Sequence, residues 1–350
     1  MVEDKEYCMS SFLQFRIIAD KNKTFKTGIY PNYYNLDDRN IIINSSDDID
    51  NFIRKYIDDI FDEHTAIMLS GGIDSAILAK YLPKGTIAYT LKCIADVPTI
   101  DETINASKYA KICGLEHRVI EVTWDDYKKF MPLLMKHKGA PIHSIEPQIY
   151  KAALQAKKDG ITKLIFGESA DCIFGGLDKI MSKKWKFDDF VERYNFVSPD
   201  KVLITSDLIL EPNENFRDGE YIDMYKFMSE FFFYESMNSY INSCKLAGIE
   251  FIAPYSKMYL GKDLDIERIK NGEPKYFIRE LFEKLYPDFS VPKKTPMPRA
   301  VDQWLKNWNG PTREEFKENC IENLDGNQKW QVYCLEYFLN LIDENEKYDK

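Results

Sequence analysis

Two rhythms of apolar residues divide the chain. In SSDDIDNFIRKYIDDIFDEH, Ile49, Phe52, Ile53, Tyr56, Ile57, Ile60 and Phe61 recur at spacings of three and four, which predicts a helix with one buried face. Ser45 or Ser46 stands ready as its N-cap, and acids fill the first turn, where the helix dipole favours them. From Thr65 short apolar runs alternate with helical stretches. TAIML precedes AILAKYL, GTIAYTLKC precedes TIDETINASKYAKICGL, HRVIEVT precedes IEPQIYKAALQAKKDG, and KLIFGES closes the series. Gly114 and Gly160 stop the later helices. Strands and helices in alternation predict an α/β protein built on right-handed crossovers, with a doubly wound, mostly parallel sheet. Upstream, SSFLQFRIIADKNKTFKTGIYPNYYNL sets aromatic and β-branched residues around the polar turn Asp20-Lys21-Asn22-Lys23, which predicts a β-hairpin. From about Phe187 the alternation ends. Gly219, Pro254, Gly272, Pro287 and the PKKTPMP stretch punctuate a mainly helical remainder. The expected organisation is a hairpin extension over 1–45, an α/β core over 46–186 and a helical layer of the same domain over 187–350.

Composition narrows the function. Of 350 residues, 44% are hydrophobic and 14% aromatic, enough to bury a real core. No apolar run approaches the length of a membrane span, and even FMSEFFFYESM carries charges. The start, MVEDKEY, lacks the basic-then-apolar order of a signal peptide; a cytoplasmic protein is expected. The balance of 47 basic and 57 acidic side chains leaves 47 − 57 = −10, so no nucleic-acid partner is expected. The short basic patches at Lys183 to Lys186 and at Lys293 read as solvated surface. Seven cysteines without a CxxC fit reduced thiols better than a disulfide framework or a zinc site. The four histidines show no metal-ligand spacing, and His143, in GAPIHSIEP, reads as a loop histidine satisfied by local backbone.

The chemistry concentrates at two strand ends. SGGIDS, Ser70 to Ser75, has the make-up of a phosphate cradle: glycines admit close approach of backbone N–H groups, and a helix begins next. Asp74 would repel a bare phosphate, so it makes sense beside Mg²⁺. No Walker lysine accompanies the loop. The second motif, GESADCIFGG, runs from Gly167 to Gly176.

SGGIDS resembles the SGGxDS loop of the ATP pyrophosphatases, which cleave ATP to AMP and pyrophosphate. GESADCIFGG resembles the GEGxDExFGG block of the asparagine synthetase and β-lactam synthetase branch. AGIEFIAPYS, GEPKYFIREL and LYPDFSVPKKTPMPRAVDQWL are similar to later blocks of that branch, so the likeness spans roughly Asp47 to Trp308. It implies an adenine nucleotide α-hydrolase-like fold and an ATP-dependent ligase that adenylates a carboxylate and passes it to an amine or ammonia. It implies ATP and Mg²⁺ as cofactors, with Asp74 and Asp171 on the metal. Ser70, Gly71, Gly72 and Ser75 would hold pyrophosphate, and Leu69, Leu91, Phe166 and Gly167 would edge the adenine. Lys294, or its neighbour Lys293, would stabilise the α-phosphate, and Glu168 would position metal or amine or cap a turn. Lys275 and Arg279 align with a K-x-x-x-R helix, as a phosphate contact or a structural pair.

The departures lie on the acceptor side. Cys172 replaces an acid, Ile252 an arginine, and Pro292 an arginine before the late lysine; Tyr255-Ser256-Lys257 stands where FLD closes the block. Ile241 and Asn242 occupy the neighbourhood of the acceptor-binding aspartate, so aspartate is not the expected acceptor. Glutaminase-bearing relatives use a cysteine exposed by removal of Met1. Here Val2 follows Met1 and the first cysteine is Cys8. No glutaminase of its own is expected, and nitrogen would come from ammonia, an amine or a separate glutaminase partner. Two further readings remain at this point: a relative that adenylates a nucleobase or tRNA, and a non-catalytic nucleotide-binding protein.

Overall fold

The computed structural model describes residues 1–36, 39–294 and 297–345; Thr295 and Pro296 of the PKKTPMP stretch lie outside them. Helix α1 (Lys5–Phe15) opens the chain, followed by α2 (Ser46–Ile60). The Ser45 side chain and the Asp48 carboxylate cap α2 reciprocally, and its apolar stripe buries Ile49, Ile53 and Ile57. The alternating region then folds as β1 (Thr65–Met68), α3 (Ile73–Ala79), β2 (Ile87–Cys93), α4 (Thr103–Cys113) and β3 (Glu116–Val122). Next come α5 (Trp124–Lys138), α6 (Glu146–Lys158), β4 (Lys163–Ile165) and the short α7 (Ala170–Ile173). Later elements that matter are α8 (Phe233–Ala247), β5 (Glu250–Ile252), α9 (Tyr276–Leu285) and α10 (Gly326–Asn345).

The five strands form one sheet in the order β5-β4-β1-β2-β3, and every neighbouring pair is parallel. Side chains alternate across it. Ala66, Met68, Tyr89, Leu91 and Leu164 face a core shared with α1, α5, α6, α8 and α10. Ile67, Leu69, Ala88 and Ile165 face a second core shared with α2, α3, α4 and α9. The chain moves outward from β1 through β2 to β3, then returns to the other side of β1 with β4. The strand order therefore reverses between β1 and β4, and at such a point the loops leaving the carboxyl ends diverge and open a crevice. SGGIDS follows β1 and GESAD follows β4. The topology brings both motifs to one place.

Three features differ from expectation. The first is the N-terminal hairpin: SSFLQF belongs to α1, and Val2–Glu3 pairs in parallel with Lys23–Thr24. The Asp4 side chain accepts from Tyr7 N–H to start the helix, and every residue from Tyr7 to Phe15 is buried. A helix buried on all sides loses its amphipathic period and reads like a strand. The polar turn itself does form, with Lys23 N–H donating to Asp20 O at 3.1 Å. Second, the helical layer supplies the sheet's edge strand β5. Third, α5 is a helix that the alternation does not predict, although Thr123 and Asp126 cap it reciprocally. No helix among the described residues is long and apolar enough to cross a membrane.

Candidate active site

The loop after β1 is closed on itself. Ser70 N–H donates to Ser75 Oγ at 2.9 Å, the two hydroxyls lie 2.9 Å apart, and Gly72 N–H donates to Ser70 Oγ at 3.2 Å. Helix α3 begins at Ile73 with no side-chain cap, so its first N–H groups face the crevice. Gly167 lies flush against this helix: a Cβ there would stand 2.8 Å from Ser75 N. The candidate adenine edge is already tied into the sheet. Leu69 N–H donates to Tyr89 O at 2.8 Å, and its carbonyl accepts from Thr90 Oγ1 at 2.6 Å. Leu91 pairs with Ile120 in the ladder, and Phe166 N–H donates to Ile252 O at 2.8 Å.

Four charged side chains from four segments meet beside the loop. Lys275 Nζ lies 2.6 Å from Asp74 Oδ2 and 2.9 Å from Asp171 Oδ1. Lys294 Nζ lies 2.9 Å from Asp171 Oδ2 and donates to Gly176 O at 2.8 Å. Lys275 is buried, while the Asp171 and Lys294 side chains are 37% and 44% exposed, so the cluster has a closed floor and an open mouth. Burial works against the charges of Asp74, Asp171 and Lys275. It raises the Asp74 carboxyl, opposed by the Lys275 ammonium and reinforced by Asp171. For Asp171 the Lys275 and Lys294 ammoniums overcome burial and hold the carboxyl low, and Lys275 is raised by both carboxylates in turn.

Backbone geometry is specialised around the cluster. Ser169 and Lys275 are non-glycine residues at φ 79° and 54°, left-handed conformations that cost energy and concentrate at functional sites. Lys275 is therefore not on the helix it was expected to share with Arg279; it caps α9, and Arg279 N–H donates to its carbonyl at 2.9 Å. At Gly176 a Cβ would strike the Asp171 carboxylate and come within 2.7 Å of Lys275 Cδ. Only glycine fits there.

Glu168 faces a different layer. Its Oε1 accepts from Ser236 Oγ at 2.8 Å, Tyr240 also hydrogen-bonds to it, and burial raises its carboxyl. Ser236 and Tyr240 lie on α8, just past a π-helical stretch over Phe227–Phe232, a local widening common at functional sites. The altered positions are packed. Cys172 and Ile252 lie in the core, the Cys172 thiol donates to Ser169 O, and Asn242 sits between His137 and Glu146. Tyr255 OH donates to Asp74 O at 3.0 Å, a second brace for the loop. His143 has partners: Ile145 N–H donates to Nδ1 at 3.1 Å and Arg16 Nη1 lies 2.6 Å from Nε2. Cys8 is fully buried in α1, its thiol pushed up to about 12 by burial.

The carboxylates fit a divalent cation. Asp74 Oδ1 is buried and accepts no hydrogen bond from the described residues, and Asp171 Oδ1 receives only the ion-pair contact. The two acids converge on one point, which the Lys275 ammonium fills here. Two carboxylates, with phosphate oxygens completing the shell, are the donor set Mg²⁺ takes in nucleotide sites.

One site residue was invisible in the sequence. Gly71, in the middle of the cradle, packs against Glu102, whose Cβ would stand 3.4 Å from a Cβ at Gly71, and burial raises the Glu102 carboxyl to about 7 although the Gly71 N–H works against it. A phosphate bound on this loop would meet that carboxylate, and the repulsion is greatest when it is ionised. Above pH 7 the wild type should therefore bind MgATP more weakly than Glu102→Gln, on the order of tenfold at pH 8. At pH 6 the two should converge. Titration calorimetry at both pH values measures this; an equal gap at both would show that Glu102 does not compete.

A family match identifies an ATP-utilising PP-loop synthetase. The asparagine synthase family model matches residues 60–259, and the chain belongs to that family. No curated relative matches it. Among solved structures it is similar to the U34-tRNA thiolase NcsA from Methanococcus maripaludis, at 13% identity and a TM-score of 0.30, covering 83% of this chain and 78% of that one. It is also similar to NMN synthetase from Francisella tularensis, at 14% identity and a TM-score of 0.27, covering 71% of this chain and 96% of that one.

Proposed function

We propose that the protein is an AMP-forming amide ligase. The observation that carries this reading is the meeting of Asp74, Asp171, Lys275 and Lys294 where the strand order reverses, beside a phosphate-type loop. A carboxylate does not accept an amine directly, because oxide is a poor leaving group. Attack of its oxygen on the α-phosphate of ATP breaks the α–β bond, expels pyrophosphate and leaves an acyl-adenylate. The amine then attacks the acyl carbon, loses a proton, and AMP departs. The SGGIDS loop, freed from its own Ser70–Ser75 bonds, receives the departing pyrophosphate. Asp74 and Asp171 would hold Mg²⁺, which supplies charge neutralisation to the phosphates when bound. Lys294, at the open mouth, is placed to meet charge on the α-phosphate and on the later oxyanion. Lys275 orders the two carboxylates. Glu168, held by Ser236 and Tyr240 and raised by burial, is suited to receive a proton from the incoming amine.

The acceptor in this reading is not aspartate, since Ile252 and Asn242 are committed to packing. Nitrogen enters as ammonia, as an amine or from a separate glutaminase; Cys8 is too deeply buried to serve as nucleophile. Incubation with MgATP, an amine donor and a panel of carboxylic acids should release AMP and pyrophosphate in equal amounts. Release of ADP and inorganic phosphate would overturn the proposal.

A further inference from the structure

A cavity of about 410 Å³ is lined by Leu177, the residue after Gly176, and by residues of α1 and α10. Its walls include Phe196, Phe232 and Trp330, and three arginines line it: Arg16, Arg193 and Arg299. Asp325 is the one acid in the lining, and its carboxylate is occupied in accepting from Gln328 N–H at 2.9 Å. Arg16 is balanced by Glu235 at 2.9 Å and lies flat over Phe196, with its guanidinium carbon 3.6 Å from the ring centroid. Arg193 is exposed at the rim.

Arg299 is different. Its Nη1 donates to Ser144 Oγ at 3.1 Å, and no carboxylate among the described residues pairs with it. Burial, with Arg16 adding to it, lowers its pKa from the ordinary arginine value. Withdrawing a guanidinium from water without a counter-ion is costly, and the planar fork is suited to a carboxylate. Next to it, His143 supplies no counter-charge, since burial and the Arg16, Arg299 and Lys138 charges hold its imidazole neutral. The cavity also adjoins the ATP-side cluster. Leu177 follows the glycine whose carbonyl holds Lys294, and Arg299 acts electrostatically on Tyr240, which hydrogen-bonds to Glu168.

We infer that this cavity is the acceptor-acid pocket, and that the acid is an apolar-bodied, aromatic-sized carboxylic acid whose anionic group pairs with Arg299. The inference rests on the ligase reading for its meaning, but not for its test. The volume falls within the range of pockets for ligands much larger than aspartate. The aromatic walls supply burial for the body, and Arg299 supplies orientation. Arg16, Arg299 and Trp330 lie outside the span matched by the family model, whereas His143, Leu177, Arg193, Phe196 and Phe232 lie within it.

The test is titration calorimetry with phenylacetate, 3-phenylpropanoate and indole-3-acetate, each against its primary amide. The acid of at least one pair should bind about tenfold or more tightly than its amide. Arg299→Gln should erase the preference, and Arg299→Lys should leave part of it; thermal unfolding of both variants checks the fold. If Arg299→Gln does not fold, a preference undiminished in Arg299→Lys overturns the inference. So does equal binding of acid and amide, saturable binding by none of the pairs, or a preference that survives Arg299→Gln. Acid preference at Arg299 with no AMP formed from MgATP would sink the ligase reading and leave the pocket standing. AMP formation without that preference would do the reverse.

Discussion

Asp74→Asn should abolish pyrophosphate release from MgATP, with turnover falling roughly a thousandfold or more, while the fold stays intact. In the ligase reading the carboxylate would anchor Mg²⁺ on the loop, and groups that organise charge in a phosphoryl-transfer site carry effects of this size. Stability should not follow activity. Burial raises the Asp74 carboxyl, so its ionised form is a burden in the folded protein; the sign is that folding favours the protonated state. Asparagine removes that charge, keeps the shape, and leaves Lys275 paired with Asp171 at 2.9 Å. The melting temperature should stay level or rise. A structural ion pair would behave oppositely, with a lowered melting temperature and activity lost only in proportion to unfolded protein. Measuring pyrophosphate release and thermal unfolding on the same preparation separates the two.

How much of this was legible in the sequence depended on which physical signal each residue leaves. Helix α2 keeps a polar face and a capping box, so its period and its start both show. The strands of the parallel sheet are covered on both faces and read as short apolar runs between helices, which is enough to locate β1 to β4 along the chain but not their order in the sheet. Helix α1 is buried on every side, and the same all-round burial that stabilises it removed the period needed to recognise it. Strand β5 is three residues long and follows directly on α8, too brief for alternation to register. At the candidate site, SGGIDS and GESAD are readable because their glycines and acids stand at the offsets a phosphate-binding loop would need. Lys275 was found by its place in a motif, but its left-handed backbone was not, since no local pattern demands lysine there. Glu102 and Arg299 left no trace. Each matters through a partner or a missing partner distant in sequence, and only the folded topology brings Glu102 to Gly71 or leaves Arg299 without a carboxylate.

Lys294→Ala should lower kcat about a hundredfold or more and raise the KM for MgATP only slightly, while Lys293→Ala should change neither. Sequence alone could not separate these adjacent lysines. The structure gives Lys294 two anchors, Asp171 Oδ2 at 2.9 Å and Gly176 O at 2.8 Å, both within the cluster. Lys293 makes no ion pair or hydrogen bond with the described residues and is exposed. An ammonium on a flexible, half-exposed stem adds little to ground-state nucleotide binding, because the Lys275 charge remains on the cavity floor. In the ligase reading it matters when charge accumulates on the α-phosphate and on the acyl oxygen, which is when kcat is set. Lys294→Arg is the sharper probe. It retains the charge but replaces a compact point donor with a planar fork that the narrow space between Asp171 and Gly176 does not match. Its kcat should stay well below wild type. Near-full activity in Lys294→Ala with a crippled Lys293→Ala would mean that the neighbouring lysine carries the charge to the α-phosphate.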